Sequence, residues 1–316
     1  MKLVVQIPCY NEAETLPAVL ADIPRDIPNI SVVEVLVIDD GSADDTVAVA
    51  KQHGADHVVS HKTNLGLARS FQTGIEYALS VDADIIVNTD GDNQYAGSSI
   101  PKLVEPIVAN RADVVVGDRQ PSKNPDFSLL KRSLQWLGSR VVRQLANVDV
   151  SDAVSGFRAY SRQAALKINV MTSFSYTTET LIHVGQQGLI VTSVLVDTNP
   201  VHRPSRLFKS MRQFLIKQVA TILRSYAMYR PLHAFSALSI MMVVIGALPI
   251  IRFLYFYMIG EGDGKVQSLL LGTMFLVMGY ITFVAAIIGD SISVNRRLNE
   301  QILERVKRLE SQKSSE

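Results

Sequence analysis

The chain opens as a series of short apolar runs, each ending in polar, loop-forming residues. Leu3-Val4-Val5-Gln6-Ile7 breaks into Pro8-Cys9-Tyr10-Asn11-Glu12. Residues 33–38 break into Asp39-Asp40-Gly41-Ser42, and Ile85-Ile86-Val87-Asn88-Thr89 breaks into Asp90-Gly91-Asp92-Asn93-Gln94. This pattern predicts parallel strands whose carboxyl ends meet at one ligand site. Helical periodicity fills the gaps: residues 12–21 with Asn11 as a cap, 44–53 capped by Ser42 or Asp44, and an amphipathic stretch at 66–79. Residues 58–59, 114–116 and 191–196 predict further strands. Alternation of this kind is the signature of an α/β domain, a mostly parallel sheet with helices on both faces. We place it at residues 1–200.

The pattern then changes. Residues 127–146 read as one or two basic amphipathic helices. Within 205–229, Arg206, Lys209, Arg212, Lys217 and Arg224 alternate with apolar positions, as in helices that lie in a membrane interface. This juxtamembrane segment is taken as 201–231. Two apolar stretches, 233–259 and 266–289, each exceed the roughly 20 residues needed to cross a hydrocarbon core, and form a transmembrane hairpin at 232–290. Arg252 interrupts the first near its far end, where it can snorkel among Phe253, Tyr255, Phe256 and Tyr257. The glycine-rich link 260–265 suits only a tight turn. Basic residues flank the hairpin on both outer sides, which orients both termini and the α/β domain to the cytoplasm. Residues 291–316 form a charged surface helix.

Composition sharpens this division. The 316 residues carry 31 Lys and Arg against 30 Asp and Glu, so the net charge is +1. The average conceals an asymmetry: acids outnumber bases about threefold in the first hundred residues, and no acid occurs from Thr198 to Gly260. An acidic half suits a cation-dependent site. The basic, acid-free stretch suits an anionic membrane surface rather than nucleic acid, because apolar segments follow it at once. One cysteine, Cys9, excludes an intramolecular disulfide. The first apolar run is too short for a secretory leader. The six histidines lack metal-ligand spacing.

Asp90 and Asp92, two residues apart at a strand mouth, can hold Mg²⁺ or Mn²⁺ against a nucleotide diphosphate, with Gln94 as a neutral oxygen beside them. The cation supplies Lewis-acid neutralisation of a leaving diphosphate. The chain also offers cations for an anionic acceptor: Arg119, then Lys131, Arg132, Arg140 and Arg143, then Arg203 and Arg206.

The stretches IPCYNEAETL, VIDDGSADDT, NLGLARSFQTGIEYAL and NTDGDNQY resemble the family 2 glycosyltransferases of the GT-A fold, a Rossmann-like architecture. With the membrane segments, the whole chain resembles polyisoprenyl-phosphate glycosyltransferases, relatives of dolichol-phosphate mannose synthase and the bacterial GtrB-type enzymes. The resemblance implies inverting transfer of one sugar from a UDP- or GDP-sugar to a polyprenyl phosphate at the cytoplasmic membrane face. It also implies a homo-oligomer, a tetramer. It places Pro8, Tyr10, Asn11 and Glu12 around the base and ribose, Asp40 on the nucleotide with Asp39 structural, and Lys62 and Asn64 on the next nucleotide-side loop. Asp90 touches the ribose or a metal-bound water, and Arg119 lies between donor and acceptor phosphates. Ser155, Gly156 and Arg158 belong to the loop beneath the transferred sugar, with Arg158 tying the loop down or meeting a phosphate. Glu179 orients a sugar hydroxyl.

Two departures narrow the expectation. HRPSRLFKS has Pro204 where dolichol-phosphate mannose synthases have flexible glycines, so their GDP-mannose specificity is not carried over. The Gln-x-x-Arg-Trp element of processive synthases is absent, and two spans provide no polymer channel. The competing expectations are transfer to another lipid or lipid-linked glycan, with Glu179 or Asp152 as base, and a non-catalytic nucleotide-binding membrane scaffold.

Overall fold

The computed structural model describes residues 1–120, 143, 146, 148–170, 176–199, 220, 224, 226–228 and 230–314. In chain order these form β1 (Lys2–Cys9), α1 (Leu16–Asp22), β2 (Val32–Asp39), α2 (Thr46–Gln52), β3 (His57–Ser60), α3 (Leu67–Ser80) and β4 (Ile85–Asn88). A short 3₁₀ turn, Gly97–Ser99, leads into α4 (Ile100–Val108). Then come β5 (Val114–Asp118), β6 (Arg158–Ser161), α5 (Arg162–Lys167), α6 (Tyr176–Gln186), β7 (Val191–Leu195), α7 (Pro231–Met258) and α8 (Val266–Ser314).

The strands make one seven-stranded sheet in the order β3-β2-β1-β4-β6-β5-β7. All neighbours are parallel except β6, which runs antiparallel to β4 and β5. The exits of β1, β2, β3, β4, β5 and β7, and the start of β6, therefore share one edge of the sheet. Period-2 alternation divides β1 between two cores. Leu3, Val5 and Ile7 pack with α1 and α4, while Val4 faces Phe71 and Ile75 of α3 and the residues of α5 and α6. Helices on both faces bury the strands on both sides, which is why these runs are almost wholly apolar. At the opposite edge every return into a parallel strand after β1 passes through a residue of positive φ: Asn29 (67°), Gly54 (89°), Asp82 (57°), Asn110 (54°) and Gly188 (70°). These are glycine or the Asn and Asp that tolerate the left-handed region.

The chain divides into two compact units, Met1–Ile222 with Gln301–Glu316, and Leu223–Glu300. Within the second, α7 and α8 are long and apolar enough to cross a membrane. Their small residues meet: Ser239 Oγ donates to Gly279 O at 2.7 Å, and Gly246 and Gly272 leave no room for a Cβ between the helices. Most of their large apolar side chains are exposed, as in a membrane protein rather than a buried core hairpin. At the tip, Lys265 Nζ sits 3.2 Å from the centroid of the Phe256 ring, and Arg252 lies 5.9 Å from the same ring. Helix α8 continues without interruption past position 290, where the sequence suggested a separate charged helix; i,i+4 pairs such as Arg308–Glu304 support its polar end.

Candidate active site

The shared edge assembles the site from strand exits. After β1, Asn11 adopts φ 54° and binds the loop after β2: its N–H donates to Ser42 Oγ (2.9 Å) and its Oδ1 accepts from Ala43 N (2.8 Å). Asn11 is thus a loop clamp, and α1 starts later than expected, at Leu16, without a side-chain cap. Glu12 N donates to Thr46 Oγ1 at 2.9 Å, tying the same two exits. Tyr10 is exposed at the rim.

Of the two acids after β2, Asp40 is the saturated one. Its buried carboxylate accepts from Leu65 N (2.9 Å) and Gly66 N (2.8 Å) and pairs with His61 Nδ1 (2.8 Å), so it holds the loop after β3. Gly41, at φ 72°, lets that loop approach: a Cβ there would stand 2.7 Å from the Thr63 carbonyl carbon. Among the described residues, Asp39 receives one hydrogen bond at its side chain, from Ser42 N at 3.0 Å. Both carboxylates are buried, and among the described residues Asp39 keeps more unused acceptor capacity than Asp40. Lys62 and Asn64 are exposed on the clamped loop.

After β4, Gly91 packs between its two acids so closely that a Cβ would meet Cys9 Sγ at 2.9 Å and Glu12 Cγ at 3.3 Å. The Thr15 hydroxyl, 2.7 Å from Gly91 O and 2.8 Å from Glu12 Oε2, fastens the loop from the β1 side. From the β7 side, Asn199 N donates to Gln94 O at 2.9 Å. Asp92 is exposed, and Asp90 is half-buried and accepts no hydrogen bond among the described residues. Burial, and then the charges of Asp92 and Glu12, push the Asp90 carboxyl up to about 7 against the pull of Arg119. Burial together with Glu12, Asp39 and Asp90 likewise pushes the Cys9 thiol well up. Among the described residues, the edge is a concentration of negative charge short of cations.

That deficit tests the donor set. No group of three or more His, Cys, Asp or Glu side chains with metal-holding geometry occurs among the described residues. Two carboxylates and an amide oxygen fit a hard divalent cation completed by substrate phosphates and water, the manner in which Mg²⁺ is commonly held. They do not fit a closed all-protein site.

After β5, Asp118 Oδ1 accepts from Gln120 N at 2.8 Å, a turn that throws Arg119 over the ring of Tyr95, 5.8 Å from its centroid. Arg119 Nε and Nη2 donate to Asp152 Oδ2 (2.7 Å) and Oδ1 (3.1 Å). Asp152 is fully buried with both oxygens engaged by Arg119. Tyr95 stacks on Phe157, and its hydroxyl accepts from Gly156 N at 3.1 Å.

Gly156 lies against Asp90: a Cβ would come within 2.8 Å of Tyr176 Oη and 3.2 Å of Asp90 Oδ1. Arg158 is wholly buried and donates to Ser155 O, Thr177 O, Thr180 Oγ1 and Ala153 O at 2.7–2.9 Å. Of the two roles expected for it, it ties the loop down. Glu179 is buried one turn from Tyr176 on α6. Arg143 reaches Asp149 at 3.4 Å. Lys131, Arg132, Arg140, Arg203 and Arg206, like most of the expected interface helices, lie outside the described residues.

Sequence reasoning passed over Gln6, Asn88, Tyr95 and Tyr176. The available signal was a Gln and an Asn inside otherwise apolar central strands, where a polar side chain has to be bonded.

Comparison with known proteins supports the same fold and chemistry. A crystal structure of glucosyl-3-phosphoglycerate synthase from Mycobacterium tuberculosis with Mn²⁺, UDP and glucosyl-3-phosphoglycerate superposes with TM-score 0.53 at 21% identity, covering 70% of this chain and 79% of that one. Its phosphoglyceric acid complex gives 0.55 at 20% identity, covering 71% and 79%. These establish a GT-A fold. The undecaprenyl-phosphate mannosyltransferase of Micrococcus luteus is 29% identical over 56% of this chain and 74% of its own length. Polyprenol monophosphomannose synthase of Mycolicibacterium smegmatis is 29% identical over 54% of this chain and 65% of its own. The UDP-N-acetylglucosamine–dolichyl-phosphate N-acetylglucosaminyltransferase of Methanococcus voltae is 28% identical over 51% and 70%. Residues 4–168, more than half of the chain, match glycosyl transferase family 2, and the chain is a glycosyltransferase of that family.

Proposed function

We propose that the protein transfers one sugar, with inversion, from a nucleotide sugar to a polyprenyl phosphate held at the cytoplasmic face of a membrane. The observation that carries this reading is the position of Arg119, within electrostatic reach of Asp90 on one side and forked to Asp152 on the other. An acceptor phosphate oxygen attacks the anomeric carbon, the bond from that carbon to the nucleotide's terminal phosphate oxygen breaks, and the nucleoside diphosphate leaves with its electron pair. A bound divalent cation supplies charge neutralisation of that leaving group. Asp90, Asp92 and Gln94 are the residues that would hold it. Asp39, Pro8, Tyr10, Asn11, Glu12, Lys62 and Asn64 frame the nucleotide, and Gly156 with Ser155 floors the sugar.

A phosphate monoester has its second pKa near 6, so the acceptor arrives ionised and needs no base. That agrees with an Asp152 committed to Arg119. It also gives Arg119 its task, to position an anion through a planar fork without taking up a proton. The similarity to polyprenyl-phosphate transferases supports the acceptor class, and α7 and α8, long and apolar enough to cross a membrane, serve as the membrane anchor in this reading.

The test uses purified protein in detergent with undecaprenyl phosphate, Mg²⁺ or Mn²⁺, and a panel of radiolabelled UDP- and GDP-sugars. Cation-dependent label in the organic phase from one donor, abolished by Asp92→Asn, is the expected result. Cation-dependent nucleotide binding with no lipid label from any donor overturns the acceptor assignment.

A further inference from the structure

Gln6, Asn88 and Arg158 stand directly opposite one another on β1, β4 and β6, and all three are wholly buried. A polar row across three central strands is costly unless every group finds a partner. Most of the partners here lead toward the site; Gln6 Nε2 also lies 3.5 Å from Phe71 O, and Gln6 Oε1 has no hydrogen-bond partner among the described residues. Gln6 Nε2 donates to Asn88 Oδ1 at 2.9 Å, which turns the Asn88 amino group the other way. That amino group spends its two hydrogens on Gly156 O (2.9 Å) and Tyr176 Oη (3.0 Å). Gln6 is itself pressed from above, because a Cβ on Gly74 of α3 would collide with its amide. These three bonds set the orientation of the Asn88 amide.

Gly156 and Tyr176 stand beside Asp90, around the space a Gly156 Cβ would fill. The site where a Gly156 Cβ would stand is 3.2 and 3.3 Å from the two Asp90 oxygens and 2.8 Å from Tyr176 Oη. Asp90 has no hydrogen bond of its own to fix it among the described residues. Its placement is left to packing against these neighbours and to the turn of its own loop.

We propose that Asn88 is a positioning residue for the cation end of the site: by fixing Gly156 and Tyr176 it sets where the Asp90 carboxylate stands. The inference rests on the reading of Asp90 and Asp92 as the cation and diphosphate site. Asn88 touches neither substrate nor cation and acts through its two partners. A side chain of similar volume without donors, as in Asn88→Leu, frees Gly156 to shift, and a shift on the order of 1 Å at such a site can cost about 100-fold in rate.

The experiment uses the full chain in detergent and reads Mn²⁺ affinity by calorimetry in the presence of UDP, and of GDP in parallel, beside transfer kinetics. Asn88→Leu is expected to weaken Mn²⁺ binding by about tenfold or more while metal-free nucleotide affinity stays within about twofold. Its kcat is expected to fall about 100-fold with little change in KM for the nucleotide sugar. Adding Tyr176→Phe to Asn88→Leu should cost less than the sum of the two single changes, because both act through one network. A folded Asn88→Leu protein that binds Mn²⁺ as the parent does overturns the inference. So does one that loses metal-free nucleotide binding in the same proportion as Mn²⁺ binding. If Asn88→Leu does not fold, Asn88→Ser, with its fold checked by thermal melting, takes its place under the same criteria. A parent protein that binds Mn²⁺ with nucleotide but transfers no sugar overturns the proposed function alone, and the Mn²⁺ measurement still decides the inference. A parent that binds no Mn²⁺ with either nucleotide overturns the inference itself.

Discussion

Arg119 and Asp152 close a two-bonded fork at 2.7 and 3.1 Å, with the carboxylate wholly buried and the guanidinium left with a partly open face. The pair fixes a cation at the site's edge, and the remaining donors of Arg119 make no hydrogen bond among the described residues. Arg119→Lys keeps the charge and loses the fork. We expect kcat/KM for the lipid phosphate to fall by about tenfold or more, with nucleotide affinity within about twofold. Equal losses in both would show that Arg119 serves the nucleotide. Asp152→Ala should instead destabilise the catalytic unit by about 3–5 kcal/mol, since it leaves a largely buried charge unpaired; thermal melting reads it.

Asp90 gives the protein a pH signature. Its carboxyl is raised from an ordinary 3.8 to about 7 by burial, Asp92 and Glu12. An acid raised in the folded state favours folding while protonated, so its contribution is complete below about pH 4 and is lost as the pH rises through about 7. A divalent cation binds the ionised form and displaces the proton. Mn²⁺ with nucleotide should therefore raise the apparent Tm more at pH 8 than at pH 5.5, and Asp92→Asn should flatten the difference. Equal Tm shifts at both pH values would sink the assignment of Asp90 to the cation site.

Gly156→Ala puts a methyl group against Tyr176 Oη and both Asp90 oxygens. Overpacking of this kind costs about 1–3 kcal/mol. Because the methyl points at Asp90, the rate should suffer more than the fold: a drop in kcat of about 100-fold with a modest Tm loss. A variant with parental kcat would remove Gly156 from the sugar floor.

The two acids after β2 should separate cleanly. Asp40→Asn takes a saturated carboxylate from three donors and should cost about 1–3 kcal/mol of stability, with the loop after β3 loosened. Asp39→Asn should leave Tm nearly unchanged and raise the nucleotide Kd by about tenfold. Calorimetry on both proteins decides, and the opposite pattern would restore Asp40 to the nucleotide.

The strand exits were legible in the sequence because each buried apolar run stops abruptly at polar residues, and that is what a parallel sheet requires. β6 was not, because Arg158-Ala159-Tyr160-Ser161 is short and starts with an arginine; the carbonyls of residues 153, 155 and 177 and the hydroxyl of Thr180 explain how that charge is buried. Asp39 and Asp40 look alike in sequence, and only the return of residues 65 and 66 onto Asp40 tells them apart. Asn11 resembled a helix cap by position, yet Ala43, 32 residues away, claims its side chain. Local pattern identified the loops; long-range hydrogen bonds assign the work within them.

The five left-handed turns at the far edge of the sheet have a practical use. They reverse the chain away from the site, and at Gly54 and Gly188 the space where a Cβ would stand is open for 4 Å. A fluorophore, spin label or short epitope spliced in after either glycine would sit a full strand length from every residue of the chemistry. The enzyme can then be tethered, tracked or captured by its blunt edge while the other edge goes on working.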